Sequence, residues 1–395
     1  MGERLAIDGG APVRDAILPY GRHTISERDI SAVVDVLRSD RLTTGPMVEV
    51  FEAAFAGKVQ CGSAVALSNG TAALHAAMHA AEIGPGDEVI IPTLTFVATA
   101  NSVGFQGGTP VFADVDSRTL LLDPVDVEHR ITDRTKAIVG VDLAGQPCDY
   151  GILEAMARKH DLVLIADACH ALGGSVEGRC VGALADMSTF SFHPVKPITT
   201  GEGGMVTTDR EDWATRMRRF RNHGIDADHN QRERQATWVY EMDHPGFNYR
   251  MTDIQCALGI SQLQCLDAWT LRRQDIARMY DQAFTGLDWF ETPHVRQGVS
   301  HAYHLYVIQL NLDTLRVSRA EVFRALRAEG IGVNVHYIPV HTQPYYRNMV
   351  PAQDCPCSLE VYERILTLPL FPTMQDSDVG HVIDAATKVC QALEN

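Results

Sequence analysis

Short apolar runs alternate with helical stretches between residues 64 and 208. The pattern predicts seven strands, at Ala64–Leu67, Glu88–Ile91, Thr109–Ala113, Ala137–Val141, Leu162–Ala166, Met187–Phe192 and Gly204–Thr208. Strands that alternate with helices are typical of a mostly parallel sheet wrapped by helices, and uninterrupted apolar strands are typical of burial on both faces. The sequence therefore predicts an α/β fold with functional groups at the carboxyl ends of the strands.

The pattern changes after the sheet. A polar, charged stretch from Asp226 to Glu241 is expected to be an exposed loop. From Thr252 the apolar residues recur at helical spacing, which predicts a long helix running past Leu266 toward Phe284 and linking two domains. Other predicted elements are helices at Glu27–Ser39, Glu211–Asn222 and Arg319–Glu329 and strands at His304–Leu310 and Gly332–His336. Residues 1–255 are expected to form a large domain, and residues 256–395 a smaller α+β domain.

Composition narrows the class of protein. The formal charge of -16 argues against nucleic acid as a partner, because binding to a phosphate backbone requires clustered basic residues. The chain has neither a basic, apolar leader nor an apolar stretch of about 18 residues, so we expect a cytoplasmic protein that does not enter a membrane. The nine cysteines are scattered and are expected to be reduced thiols, and the histidine spacing fits no metal site.

Lys196 lies where the chain bends after a predicted strand, between Pro194 and Pro197 and ahead of the glycine-rich turn Gly201–Gly204. An isolated lysine in a loop is usually a surface residue. Here the bend holds the amine where it can face a cleft, as a nucleophilic lysine requires.

Two further features upstream of Lys196 change its interpretation. Gly70 and Thr71 follow Asn69 at the start of a predicted helix, Thr71–Ala81, where backbone amides and hydroxyls can bind an anion, and Ser191 could add a second hydroxyl. Asp167 ends a predicted strand, where a buried carboxylate needs a cationic partner such as a pyridinium nitrogen. A pyridoxal 5'-phosphate enzyme needs a lysine, a carboxylate and a phosphate cradle, and the sequence provides all three. Phe96 could stack on the cofactor ring.

Five ordered segments resemble one family along nearly the whole chain. They are Pro92–Asn101, Asp167–His170, Ser191–Gly204, Gly246–Asp253 and Asn334–His341. The sequence resembles the nucleotide-sugar aminotransferases of the DegT/DnrJ/EryC1/StrS family. The segments around Lys196 and His336 most resemble the branch that forms UDP-4-amino-4,6-dideoxy-N-acetyl-β-L-altrosamine for pseudaminic acid.

The resemblance implies a fold type I aminotransferase that forms a homodimer with shared active sites. It implies that Lys196 is the Schiff-base lysine, that Asp167 pairs with the pyridine nitrogen and that His170 approaches the phenolic oxygen. Gly70, Thr71 and Ser191 would bind the cofactor phosphate, with Asn248 of the partner subunit. The implied substrate contacts are Tyr20, Leu42, Thr43, Thr44, Gly45, Asn69, Tyr249, His336, Tyr337, Ile338 and Pro339.

The implied reaction moves the amino group of L-glutamate to C4 of a UDP-4-keto-6-deoxy-N-acetylhexosamine. A perosamine-type or other 4-aminotransferase that uses a GDP- or dTDP-4-keto-6-deoxyhexose is the nearest alternative. A regulatory protein with a pyridoxal fold would need a fused DNA-binding module, which is not evident. A nicotinamide-dependent dehydrogenase would need a GxGxxG turn after its first strand, and the sequence has none there.

Overall fold

The computed structural model describes residues 4–226, 232, 236–349 and 354–394. Its strands in chain order are β1 Ser63–Leu67, β2 Glu88–Pro92, β3 Thr109–Ala113, β4 Thr135–Val141, β5 Val163–Asp167, β6 Ser175–Val176, β7 Arg179–Cys180, β8 Met187–Ser191, β9 Gly204–Thr208, β10 Phe290–Glu291, β11 Val299–Ser300, β12 Tyr306–Leu310 and β13 Ile365–Leu368. Seven of them form the central sheet in the order β1-β9-β8-β5-β4-β2-β3. Strand β9 is antiparallel to β1 and β8, and the other neighbours are parallel.

The helices cover both faces of this sheet and surround a second, smaller core. They are α1 Glu27–Leu37, α2 Pro46–Val59, α3 Gly70–Ala80, α4 Val97–Phe105, α5 Pro124–Arg130, α6 Tyr150–His160, α7 Glu211–Phe220, α8 Asp253–Leu263, α9 Leu266–Phe284, α10 Leu312–Leu315, α11 Arg319–Ala328, α12 Pro344–Met349, α13 Pro356–Arg364 and α14 Asp376–Leu393. Among the described residues, no helix is both long enough and apolar enough to cross a membrane.

The predicted mostly parallel, seven-stranded sheet is confirmed, and the strand ends differ from the prediction by at most two residues. Strand β5 shows why the prediction succeeds. Leu164 packs into the core on one face of the sheet and Ile165 into the core on the other, and both are buried. Because each face needs apolar side chains, buried parallel strands have the continuous apolar pattern that identifies them in a sequence.

The predicted long linking helix is instead two helices, α8 and α9. The backbone N–H groups of Gln264 and Cys265 donate to carbonyls only three residues back, so α8 ends in a tightened turn. The buried side chain of Gln262 donates to the Thr24 carbonyl and to Asp29. These contacts hold the end of α8 against the N-terminal segment, and the chain turns before α9 begins.

The C-terminal part contains a three-stranded sheet, β10-β12-β13, with α9, α11 and α14 packed into the same core. Leu5 and Leu18, near the N-terminus, are buried in this core as well. The predicted division at residues 255 and 256 stays a prediction.

Two predicted segments, residues 332–336 and residues 226–241, need separate comment. The expected strand Gly332–His336 is absent, because only Asn334 pairs with Thr367 of β13 before the chain leaves the sheet edge and borders a cavity. Half of the expected exposed loop at residues 226–241 lies outside the described residues, and in the other half residues 236 and 238–241 are exposed as expected. At its described ends, Asp226 and Glu241 pair with each other through their backbone and the Asp226 side chain.

Candidate active site

A cavity of about 850 Å³ opens at the carboxyl ends of the central strands. It brings together twelve of the predicted site residues, namely Tyr20, Asn69, Gly70, Thr71, Phe96, Asp167, His170, Ser191, Lys196, Tyr249, His336 and Tyr337. Most of them lie at or after the ends of β1, β2, β5 and β8 or within residues 334–337, and Tyr20 and Tyr249 join them from other segments. Functional groups far apart in sequence therefore meet at one edge of the sheet, as is general for open α/β sheets.

An anion cradle forms where α3 begins beside the end of β8. Asn69 caps α3, with its side-chain oxygen accepting from the Ala72 N–H at 2.8 Å, and the preceding N–H groups of the first turn lack acceptors within the helix. A Cβ atom at Gly70 would lie 2.8 Å from Cβ of Ser191. Only glycine allows the helix start to approach the Ser191 hydroxyl this closely, and backbone amides beside a hydroxyl suit a phosphate.

Asp167 is the last residue of β5 and is 6% exposed. Its Oδ2 accepts a 2.8 Å hydrogen bond from the hydroxyl of Thr99, which in turn contacts the hydroxyl of Thr95. In the part of the chain that the structure describes, no lysine, arginine or histidine forms an ion pair with Asp167. A buried carboxylate with this surrounding suits a ligand that supplies a protonated nitrogen.

Lys196 lies in a tight turn, with its N–H donating to the His193 carbonyl at 2.9 Å. Its side chain lines the cavity and is half-buried, and within the described residues Nζ forms no hydrogen bond. Removal from water lowers the pKa of Lys196, an effect that nearby Cys169 and Asp167 partly oppose. A larger fraction of the amine is therefore neutral and nucleophilic than in an exposed lysine.

His170 forms the wall beside Asp167 and is buried. Its Nδ1 accepts from the Ala144 N–H at 3.3 Å, which leaves Nε2 as the protonated nitrogen of the neutral ring, 3.2 Å from the hydroxyl of Tyr337. Burial lowers the pKa of His170, and the positive charge of Lys196 lowers it further. The ring is therefore held neutral with an N–H group available to an oxygen.

Another part of the cavity wall is formed by residues 334–337, which begin where Asn334 pairs with Thr367 of β13. His336 Nδ1 and the Thr367 hydroxyl are 2.8 Å apart, and the His336 ring lies 5.2 Å from that of Tyr20. Burial, together with the charge of Lys196, lowers the pKa of His336 to about 4. Phe96 is 54% exposed, with its ring 5.7 Å from that of Tyr337, so it borders the cavity and is not a core residue.

These surroundings fit pyridoxal 5'-phosphate. The cradle at Gly70 and Ser191 matches a phosphate, the unpaired carboxylate of Asp167 matches a ring nitrogen, and the amine of Lys196 lies in the same cavity. The neutral N–H of His170 matches a phenolic oxygen.

The remaining predicted site residues are elsewhere in this chain. Leu42, Thr43, Thr44 and Gly45 lie against the start of α8, where the Gly45 N–H donates to Asp253. Thr44 and Gly45 border a second cavity, of about 670 Å³, and Asn248 pairs with Asn222 on the exposed surface. Ile338 and Pro339 follow the segment that borders the large cavity but do not line it.

The structure adds Thr99 to the predicted residues and gives His304 a definite place in the site. Thr99 is a contact of Asp167, although only Phe96 was selected from the same helix start. His304 lines the cavity with its ring 4.4 Å from that of His170, and its Nδ1 is buried without a hydrogen bond to any described residue. A hydroxyl one turn after Phe96 is a usable signal for Thr99, whereas the sequence suggests His304 only as one of several histidines at a polar rim or sugar contact.

The chain is similar to known proteins over nearly its whole length. The spore coat polysaccharide biosynthesis protein SpsC of Bacillus subtilis is 42% identical over 385 residues, covering 96% of this chain and 99% of SpsC. A putative sugar aminotransferase of Streptococcus pneumoniae, solved in its PMP form, superposes with a TM-score of 0.90 at 32% identity, covering 95% of this chain and 100% of the other. Helicobacter pylori PseC, an aminotransferase of pseudaminic acid biosynthesis, superposes with a TM-score of 0.89 at 29% identity and the same two coverages.

The family model of the DegT/DnrJ/EryC1/StrS aminotransferases matches residues 23–387. The match covers most of the chain, and the solved sugar aminotransferases have the same fold. The chain therefore belongs to the DegT/DnrJ/EryC1/StrS aminotransferase family, whose members depend on pyridoxal 5'-phosphate.

Proposed function

We propose that this sugar aminotransferase moves the amino group of L-glutamate to C4 of a UDP-4-keto-6-deoxy-N-acetylhexosamine, forming UDP-4-amino-4,6-dideoxy-N-acetyl-β-L-altrosamine. The main support for aminotransferase chemistry is that Lys196, Asp167 and the cradle at Gly70 line the same cavity. Similarity to Helicobacter pylori PseC supports the choice of sugar, and similarity to SpsC supports a role in polysaccharide synthesis.

In this proposal, pyridoxal 5'-phosphate supplies an electron sink and carries the amino group from donor to acceptor. Lys196 holds the cofactor and then, as a free amine, takes the proton from Cα of glutamate and later returns a proton to C4 of the sugar. Its lowered pKa favours the neutral amine that accepts a proton. Glutamate leaves as 2-oxoglutarate, and the keto sugar becomes an amino sugar.

The other cavity residues orient these groups. Asp167 keeps the ring nitrogen protonated, with Thr99 fixing one carboxylate oxygen by its 2.8 Å hydrogen bond. With the cofactor bound, His170 would present its Nε2 proton to the phenolic oxygen, and Phe96 would stack on the ring. The walls around Tyr20, Tyr249 and His336 lie where a sugar nucleotide would enter.

We further propose that the enzyme is a homodimer in which each subunit completes its partner's site. Asn248 and residues 42–45 do not border the large cavity of their own chain. This placement supports a role for them in the cavity of the partner subunit, which is how the family resemblance assigns Asn248.

The deciding experiment offers the purified enzyme and glutamate a panel of UDP-, GDP- and dTDP-4-keto-6-deoxy sugars. Product mass identifies amine transfer, and NMR identifies the position and configuration of the new amine. We expect turnover with the UDP-N-acetylhexosamine substrate to exceed that with the others. Equal rates with all three carriers contradict the substrate assignment, and a preference for a GDP- or dTDP-hexose establishes the perosamine-type alternative.

A further inference from the structure

A second carboxyl group lies directly beside Asp167. Asp142 follows the last residue of β4, and its backbone N–H donates to the Asp167 carbonyl at 3.0 Å. The Asp142 side chain is 0% exposed. One of its oxygens, Oδ1, accepts from the Tyr150 hydroxyl at 2.7 Å and from the Cys148 N–H at 2.9 Å. The other, Oδ2, is buried and has no hydrogen-bond partner among the described residues.

In the part of the chain that the structure describes, no positive charge pairs with the Asp142 carboxyl group. Among the described residues, Asp142 has no ion-pair partner, and the nearby Arg296 instead pairs with Asp149 at 2.9 Å and donates to the Pro147 carbonyl. The other titratable groups facing it are Asp167 on the neighbouring strand and the side chains of Cys148 and Tyr150. Burial raises the pKa of both Cys148 and Tyr150, so neither is charged at neutral pH.

A charged Asp142 would be costly in this setting. A carboxylate needs donors on both oxygens when it is removed from water, and Oδ2 has none. The ionised Asp167 would also repel it across adjacent strand ends. Asp167 borders the cavity that holds the amine of Lys196, whereas Asp142 is fully buried and contacts no cation among the described residues. These surroundings favour the protonated, uncharged form of Asp142. The pKa of Asp142 agrees with this. Burial is the main cause that raises it to about 7, and the nearby Asp167 raises it further.

Asp142 also begins the turn that supports two walls of the cavity. Its carbonyl accepts from the Gly145 N–H at 3.1 Å, which closes the short turn Leu143–Gly145. From this turn the Ala144 N–H donates to Nδ1 of His170, and the Ala144 carbonyl accepts from the N–H of Leu305, next to His304. A shift of Asp142 would therefore move both histidines.

We propose that Asp142 is a positioning residue of the active site, a buried and uncharged carboxylic acid that fixes the turn beneath His170 and leaves Asp167 as the one anion of the pair. The positioning role rests on the proposed site, because it requires His170 to contact the cofactor. The uncharged state rests only on the surroundings of Asp142.

The uncharged state is tested on the cofactor-free protein, so the result does not depend on the proposed reaction. Thermal unfolding of the wild type, Asp142→Asn and the exposed control Asp267→Asn is followed between pH 5 and pH 8.5. Asparagine mimics the neutral acid. The folded wild type keeps the Asp142 proton up to about pH 7, whereas the unfolded chain releases it near pH 4. Wild-type stability therefore falls with rising pH up to about 7 relative to that of Asp142→Asn.

We expect the melting temperature of Asp142→Asn, minus that of the wild type, to rise by several degrees between pH 5 and pH 7 and to level off above that. The Asp267→Asn difference should stay flat. Parallel melting curves for the wild type and Asp142→Asn across this range would overturn the uncharged state.

The positioning role is tested by cofactor absorbance and by cofactor affinity in Asp142→Asn and Asp142→Ala. We expect asparagine to preserve the absorbance spectrum and affinity of the wild type, and alanine to shift the spectrum and weaken binding several-fold. A spectrum and affinity unchanged in the alanine variant would overturn the positioning role. Loss of both properties in the asparagine variant would overturn the neutral acid.

Discussion

The hydroxyl of Thr99 donates a 2.8 Å hydrogen bond to Oδ2 of Asp167, joining the first turn of α4 to the end of β5. Both side chains are buried, so water cannot replace this bond. A hydrogen bond to a charged group contributes about 1.5–3 kcal/mol. The orientation of the Asp167 carboxylate therefore depends on a residue of a different strand-helix unit.

Replacement of Thr99 by valine, which has the same shape, should remove this bond with little change in packing. We expect kcat to fall by roughly tenfold or more, which corresponds to the loss of one charge-assisted hydrogen bond. Steady-state kinetics with glutamate and the sugar measure the effect, and Thr99→Ser, which keeps the hydroxyl, should recover most of the activity. Unchanged kcat in the valine variant would show that the bond does not matter for the reaction.

Lys196→Ala should abolish both the visible absorbance of the lysine-bound cofactor and amine transfer. The reason is that, in this cavity, only Lys196 among the described lining residues carries a primary amine. Absorbance spectra and product mass measure the two losses. Lys58→Ala is the matched control, since Lys58 forms a surface ion pair with Asp267 and should leave both properties intact. Retained turnover with the sugar would refute the assignment of Lys196.

The sequence predicts those features of the fold and site that depend on neighbouring residues in the chain. Strand β5 is recognisable because Leu164 and Ile165 serve opposite faces of the sheet, and Lys196 is recognisable because prolines fix the bend around it. The prediction of a strand at residues 332–336 is wrong. Alternating apolar residues indicate a strand, but they do not show how many residues pair with a neighbouring strand, and here only Asn334 pairs with β13. The sequence suggests several histidines as polar rim or sugar contacts, and it cannot single out His304 because no spacing encodes the contact between the His304 and His170 rings.

Gly70→Ala should weaken cofactor binding by roughly tenfold, because overpacking a close contact costs about 1–3 kcal/mol. The added methyl would lie 2.8 Å from Cβ of Ser191 and push α3 away from β8. Titration of the cofactor-free enzyme with pyridoxal 5'-phosphate, followed by absorbance, gives the dissociation constant. Gly57→Ala is the matched control, since a methyl there meets no atom within 4 Å. Equal affinities for the two variants would contradict a tight cradle.

His336 should make the folded protein sensitive to acid. Its pKa falls from an ordinary value of 6.5 to about 4 in the folded state, so between these pH values the unfolded chain binds a proton that the folded chain excludes. Stability is therefore lost as the pH falls through this window, by at most about 1.4 kcal/mol per pH unit.

Urea unfolding of the wild type and His336→Asn from pH 4 to pH 8 measures this effect. We expect the variant to lose less stability on acidification, while replacement of the exposed His294 by asparagine should leave the wild-type slope. A slope in His336→Asn equal to that of the wild type would show that His336 is protonated as easily in the folded state as in the unfolded chain.

Asn248 allows the proposal of shared active sites to be tested by mixing two inactive variants. If Asn248 acts in the partner's cavity, Lys196→Ala and Asn248→Ala subunits are each inactive with themselves but complement each other. A mixed dimer then has one site that contains both the lysine and the asparagine. Random reassortment of equal amounts makes half of the dimers mixed, and each mixed dimer has one intact site of two. Activity should therefore recover to about a quarter of the wild-type value.

The assay is amine transfer after the two variants are mixed under conditions that allow subunit exchange. If Asn248 instead served its own chain, every site in the mixture would lack one of the two residues, and activity would stay at the level of the separate variants.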